Sequence, residues 1–129
     1  MEKKKEIRHF RDLIVYQKAF ERAMEIFQLT KGFPSAEKYS LIDQIRRSSR
    51  AVCSNLAEGW RKRRYQAVFV NKLTDSMQEA SETQTWLEFS LRCDYINREK
   101  FDSLDIQYED IIKMLNSMEM NAGKFCYKN

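Results

Sequence analysis

The chain has 129 residues, of which 43% are apolar and 33% charged, and it carries a net charge of +4. That length suits one domain able to bury its own core, so neither a disulfide nor a structural metal is needed to hold it together. Three glycines and one proline exclude long loops and low-complexity linkers, and the scarcity of turn residues argues against a β-rich fold.

The first helix is predicted over about 11–31. Leu13, Tyr16, Phe20, Ala23, Met24 and Phe27 recur at steps of three and four and form its core stripe, while Val15, Ala19 and Ile26 make a second strip beside it. Gly32-Phe33-Pro34 should end the helix through a left-handed glycine cap, and Ser35 should cap the next one. A second helix over about 36–58 packs through Leu41, Ile45, Ser48, Ser49, Val52 and Leu56, with Gly59 as its stop. The third, about 65–92, buries Phe69, Leu73, Ser76, Ala80, Thr83, Leu87 and Leu91. Asp94 to Asn97 is a turn, with Asn97 as N-cap. The fourth, about 98–122, has the most regular stripe: Phe101, Leu104, Tyr108, Ile111, Leu115, Met118 and Ala122. Connections this short make neighbours antiparallel. The expectation is a single all-α domain, an antiparallel up-down-up-down four-helix bundle.

Many chemistries are missing. Bundle di-iron sites need inward Glu-x-x-His pairs, and the one histidine, His9, precedes the bundle in a lead-in segment. Asp75, Glu79 and Glu82 share one side of the third helix without a second ligand set, which reads as a solvated face. Cys53, Cys93 and Cys126 are too scattered for a CxxC pair and read as free thiols. Phosphate-loop, nucleophile-elbow and HExxH motifs do not occur. No catalytic residue, metal, cofactor or small-molecule substrate is expected. The first residues carry charge where a secretory leader is apolar, and Leu13-Ile14-Val15-Tyr16 is too short to span a membrane. A cytoplasmic protein without a membrane partner is the expectation.

Charge is distributed unevenly. Residues 46–64 hold seven basic side chains and one acidic, whereas residues 65–122 hold five basic and eleven acidic. Arg46, Arg47 and Arg50 fall nearly opposite the apolar stripe of the second helix and are expected to face outward. Arg61, Lys62, Arg63 and Arg64 follow Gly59, between Trp60 and Tyr65. Arginine forks suit phosphate, and a neighbouring aromatic ring suits an unpaired base, so these seven residues are the candidate RNA- or DNA-binding set. Two other readings stay open: the basic half of one subunit meeting the acidic half of another, and a merely solvated surface. Trp86 and Phe89, and the Val15–Ala19–Ile26 strip of the first helix, apolar but off the core stripes, are the candidate oligomer-interface positions.

Read from end to end, Phe10-Arg11-Asp12-Leu13, Tyr16-Gln17-Lys18-Ala19, Phe33-Pro34 and the run from Tyr39 to Ser48 resemble the bacterial four-helix-bundle proteins encoded in 23S rRNA intervening sequences. Ser54-Asn55-Leu56-Ala57-Glu58-Gly59 carries that family's NxAEG signature, and the likeness extends over about 10–118. The chain is also similar to the accessory protein of diversity-generating retroelements. The resemblance implies a non-enzymatic bundle that assembles into a cyclic homo-oligomer, a pentamer in particular, and associates with RNA or DNA. It marks Asn55, Glu58 and Gly59 as signature residues with structural roles: Asn55 bonding across helices, Glu58 pairing with a nearby arginine. A protein–protein adaptor without nucleic-acid binding is the alternative.

Overall fold

The computed structural model describes residues 6–128; the charged residues 1–5, on which the no-leader expectation partly rests, lie outside them. Four helices make up the body: α1 Ile14–Thr30, α2 Leu41–Arg61, α3 Gln66–Arg92 and α4 Arg98–Met120, with single 3-10 turns at Phe10–Asp12, Ser35–Glu37 and Ala122–Lys124. No strand occurs among the described residues.

Paired contacts give the directions. Between α2 and α3, Ser48 Oγ meets Thr83 Oγ1 at 2.8 Å, Ser76 Oγ donates to the Val52 carbonyl at 2.7 Å and Lys72 Nζ meets Glu58 at 2.8 Å. Rising numbers in α2 thus meet falling numbers in α3. The same reversal joins α1 to α4, through Lys100–Glu25 and Arg22–Gln107, and α3 to α4, through Gln84–Asp105 and Thr74–Glu119. Neighbours are antiparallel. Helix α2 meets α1 and α3, and α4 meets α3 and α1, so α2 and α4 lie diagonally across the bundle.

Ile45, Val52, Leu56, Phe69, Leu73, Leu87, Leu104, Tyr108, Ile111 and Leu115 fill the centre, each fully buried. The predicted stripe of α2 holds, as do those of α3 and α4 apart from a half-buried Leu91 and a half-buried Phe101. Asn97 caps α4 by accepting from the Lys100 amide at 2.8 Å.

Helix α1 departs from the reading. Its buried face is Val15, Ala19, Ala23, Ile26 and Thr30, whereas Phe20 and Met24 remain 46% and 43% exposed. Two apolar stripes run along this helix, and the slimmer one packs inside because the α1–α2 seam admits small and β-branched side chains. The boundaries shift too. Helix α2 begins at Leu41 after the 3-10 turn at Ser35–Glu37, so Ser35 caps no long helix, and its side chain makes no capping bond. No glycine has positive φ, so Gly32 ends α1 without the left-handed cap. Gly59 does not stop α2, which runs through it to Arg61.

Candidate nucleic-acid interface

Helix α2 presents Asp43, Arg47, Arg50, Ser54 and Arg61 outward, all within about 60° of one another at about 100° per residue and all exposed. Arg47 and Arg61 are fourteen residues apart, so the row is about 21 Å long. Arg47 meets Asp43 at 3.3 Å, one turn away. Among the described residues Arg50, Arg61, Lys62 and Arg64 have no carboxylate partner, and all four are exposed. At the other end of the row, Lys38, Tyr39, Ile42, Arg46, Arg47 and Arg50 line an open groove of about 640 Å³.

Two of the seven predicted cations are committed to structural contacts. Arg46 is half-buried: its guanidinium lies 4.7 Å from the Phe27 ring centre, Nε donates to Thr30 Oγ1 at 2.8 Å and Nη2 donates to the Phe27 carbonyl at 3.3 Å. It clasps α1 to α2 rather than facing freely outward. Arg63 lies 3.6 Å from the Trp60 ring and 4.8 Å from Tyr127, and donates to the carbonyls of Trp60 at 2.8 Å and Phe125 at 3.3 Å. That contact fastens the C-terminal segment. Trp60 is only 3% exposed beneath it, so its ring faces no ligand.

Two of the three signature residues, Glu58 and Gly59, act between helices. A Cβ on Gly59 would come 2.9 Å from the Lys72 Cβ, so this glycine sets the closest approach of α2 to α3. Glu58 pairs with Lys72 of α3 and not with an arginine. Asn55 donates to the Ala51 carbonyl of its own helix at 3.0 Å instead of bonding across helices.

Other residues at this face were not singled out from sequence. His9 is part of a capped turn: Nδ1 accepts from the Arg11 amide at 3.2 Å, and its Nε2 meets the Arg61 guanidinium at 3.1 Å. Arg61 also lies 5.5 Å from the Phe10 ring, and Arg50 lies 5.7 Å from Phe27. Tyr39, 85% exposed, sits beside Lys38. The available signal was the Tyr16–Phe20–Phe27 spacing, which is helical but too bulky for a seam.

The opposite side is acidic. Partial burial, then the neighbouring Glu82 and Asp75, raise the proton affinity of Glu79 above the usual carboxylate range. Asp105 is raised by burial and by Glu109, Asp102 and Glu88, against a lowering hydrogen bond from Gln84. No group of three metal-ligating side chains occurs among the described residues, and none of their helices is long and apolar enough to cross a membrane. Trp86 and Phe89 lie together on α3, ring centres 5.8 Å apart, with Phe89 53% exposed.

These features define an all-α bundle with a charge-polarised surface and a row of exposed guanidinium groups along one helix. Residues 11–117 match the family described as 23S rRNA-intervening sequence protein. The chain belongs to that family. A crystal structure from Bacteroides thetaiotaomicron VPI-5482, of a protein with unknown function from the S23 ribosomal protein family, is similar with a TM-score of 0.74 and 34% identity, covering 82% of this chain and 98% of the other. Among curated proteins, none matches in sequence.

Proposed function

We propose that the protein is a non-enzymatic, self-associating helical scaffold that binds RNA or DNA phosphates along the outer face of α2 and the turn after it. The observation that carries this reading is the row Arg47, Arg50, Arg61, Lys62 and Arg64, exposed on one rigid helix and its adjoining turn, with a single carboxylate partner at Arg47. Unneutralised guanidinium groups on a stiff rod form a fixed positive field suited to a polyanion. Arg46 and Arg63 support it indirectly, by holding α1 and the C-terminal segment in place.

Five phosphate contacts imply an affinity that falls roughly 100-fold or more between about 50 and 200 mM salt. Fluorescence anisotropy of labelled RNA and DNA across that range tests this. The variant Arg47→Glu/Arg50→Glu/Arg61→Glu, which spares the buried contacts of Arg46 and Arg63, should abolish binding while its circular dichroism stays helical. A flat salt response, or unchanged binding by the triple variant, overturns the reading. The exposed Phe89 beside Trp86 favours one second reading, a protein–protein adaptor, which predicts a retained protein partner and no shift of nucleic acid.

A further inference from the structure

The second apolar stripe of α1 is left over once the core is built. Tyr16, Phe20, Met24 and Phe27 lie about 100° around the helix from the buried Val15–Ala19–Ile26 face, and Phe20 and Met24 stay nearly half exposed. The stripe extends beyond the helix. Phe10 and Tyr16 are 5.1 Å apart between ring centres, and Tyr16 and Phe20 are 6.0 Å apart, so three rings form a staircase at one end of the α1–α2 seam. From Phe10 to Phe27 the lane is about 20 Å long.

Cations flank both ends of it. Arg61 stands over Phe10 at 5.5 Å, and Arg46 and Arg50 stand over Phe27 at 4.7 and 5.7 Å. None of the three has a carboxylate partner among the described residues. An apolar partner laid on the lane would desolvate these guanidinium groups without giving them a counter-charge, which is strongly unfavourable. A ligand carrying both flat π-faces and repeated negative charge meets both needs. In a duplex the base faces are hidden in the stack, so only an unpaired strand offers rings and phosphates together.

We infer that the α1–α2 seam selects unpaired RNA or DNA over duplex, with a base stacked on the exposed Phe20 ring, backed by Tyr16 and Phe10, and phosphates held by Arg50 and Arg61. This rests on the phosphate-binding reading above and adds a class of ligand to it. The rings supply the selectivity and the guanidinium groups the general attraction.

The test compares one labelled strand, its duplex and an abasic strand of equal length, by anisotropy at a single low salt concentration. The strand should bind about tenfold or more tighter than either of the others, since stacking on one aromatic ring is worth about that factor. Phe20→Leu keeps an apolar side chain but removes the ring, and should lower strand affinity roughly tenfold with duplex affinity unchanged; Phe20→Trp should restore it. Equal affinity for all three ligands, with the arginine triple variant still defective, overturns the selectivity and leaves phosphate binding intact. Failure of all three ligands to bind overturns both. A Phe20→Glu protein that loses molecular mass in light scattering yet binds the strand like wild type assigns the lane to a subunit contact, and also overturns the inference.

Discussion

Gly59 sits in the last turn of α2, where that helix lies close against the first turns of α3. Its α-carbon faces the first side-chain carbon of Lys72, and a methyl group there would stand 2.9 Å from that atom. Because Cβ cannot swing aside as a lysine tip can, α2 and α3 must part. The neighbouring Ser48–Thr83 and Ser76–Val52 bonds, at 2.8 and 2.7 Å, depend on the same spacing. Gly59→Ala should therefore destabilise the bundle: overpacking costs about 1–3 kcal/mol, more than the roughly 0.5–1 kcal/mol that alanine gains in a helix interior. Urea denaturation followed by circular dichroism checks this, and a midpoint equal to or above wild type contradicts it. Cys53 makes a second residue-level case. Burial pushes its thiol from the ordinary value of 9.0 up to about 12, and burial raises the Tyr108 hydroxyl as well. Both groups favour their protonated forms in the folded state, so the Cys53 contribution is intact below its unfolded value of 9.0 and lost as pH rises toward about 12, and the Tyr108 contribution starts to fall above its own unfolded value of 10.0. The denaturation midpoint should fall above about pH 9, and fall less in Cys53→Ala. A thiol reagent should modify the exposed Cys93 first and reach Cys53 only on unfolding. Parallel pH curves for the two proteins, or rapid labelling of Cys53 in the native protein, would contradict this account.

At the scale of the helices, legibility followed how one-sided each sequence is. Helices α2 and α4 have a single apolar stripe, and α3 nearly so, and period alone located most of their buried residues, missing Ile42, Cys53 and Trp60 of α2 and Ser90 of α3. Helix α1 has two stripes, one of bulky rings and one of Val15, Ala19, Ala23 and Ile26, and periodicity cannot rank them. Packing did: the seam against α2 closes on the smaller side chains and leaves the rings at its mouth. Arg46 was misplaced for the same reason, because its contacts are with Phe27 and Thr30 of that helix, which a wheel drawn for α2 alone does not contain. The packing of Arg63 on Trp60 depends on the C-terminal segment, which is remote in sequence and holds Arg63 through the Phe125 carbonyl. Gly59 was misread because a glycine near the end of a helical run signals a stop as readily as a close approach. What survived is the exposed remainder of the basic set: Arg47, Arg50 and Arg61, whose placement follows from α2 being an amphipathic helix, and Lys62 and Arg64 in the turn after it.

Across the whole molecule, the diagonal placement of α2 and α4 sets the basic row away from much of the acidic charge, which lies on α3 and α4. Two kinds of self-association are compatible with that arrangement, and salt separates them. Basic α2 on the acidic side of a second copy is an attraction between exposed charges, screened over about 8 Å at physiological ionic strength and weaker still in concentrated salt. Contact through Trp86 and Phe89 removes apolar surface from water and is not screened. The second is the stronger candidate: Phe89 is 53% exposed, and its ring centre stands 5.8 Å from that of the half-buried Trp86. It also occupies none of the guanidinium groups of the α2 row, whereas charge-on-charge stacking does. Light scattering should then give a mass above the monomer that persists from about 50 to 500 mM salt. Phe89→Glu should reduce it to the monomer value without loss of helicity, since this ring is not part of the core. A wild-type monomer, or an assembly that dissolves as salt rises while Phe89→Glu leaves it unaffected, would assign self-association to the charges or exclude it. In the charge-driven case added nucleic acid should compete with the second copy for the same guanidinium groups, whereas an assembly held by Phe89 should keep its mass when the strand binds.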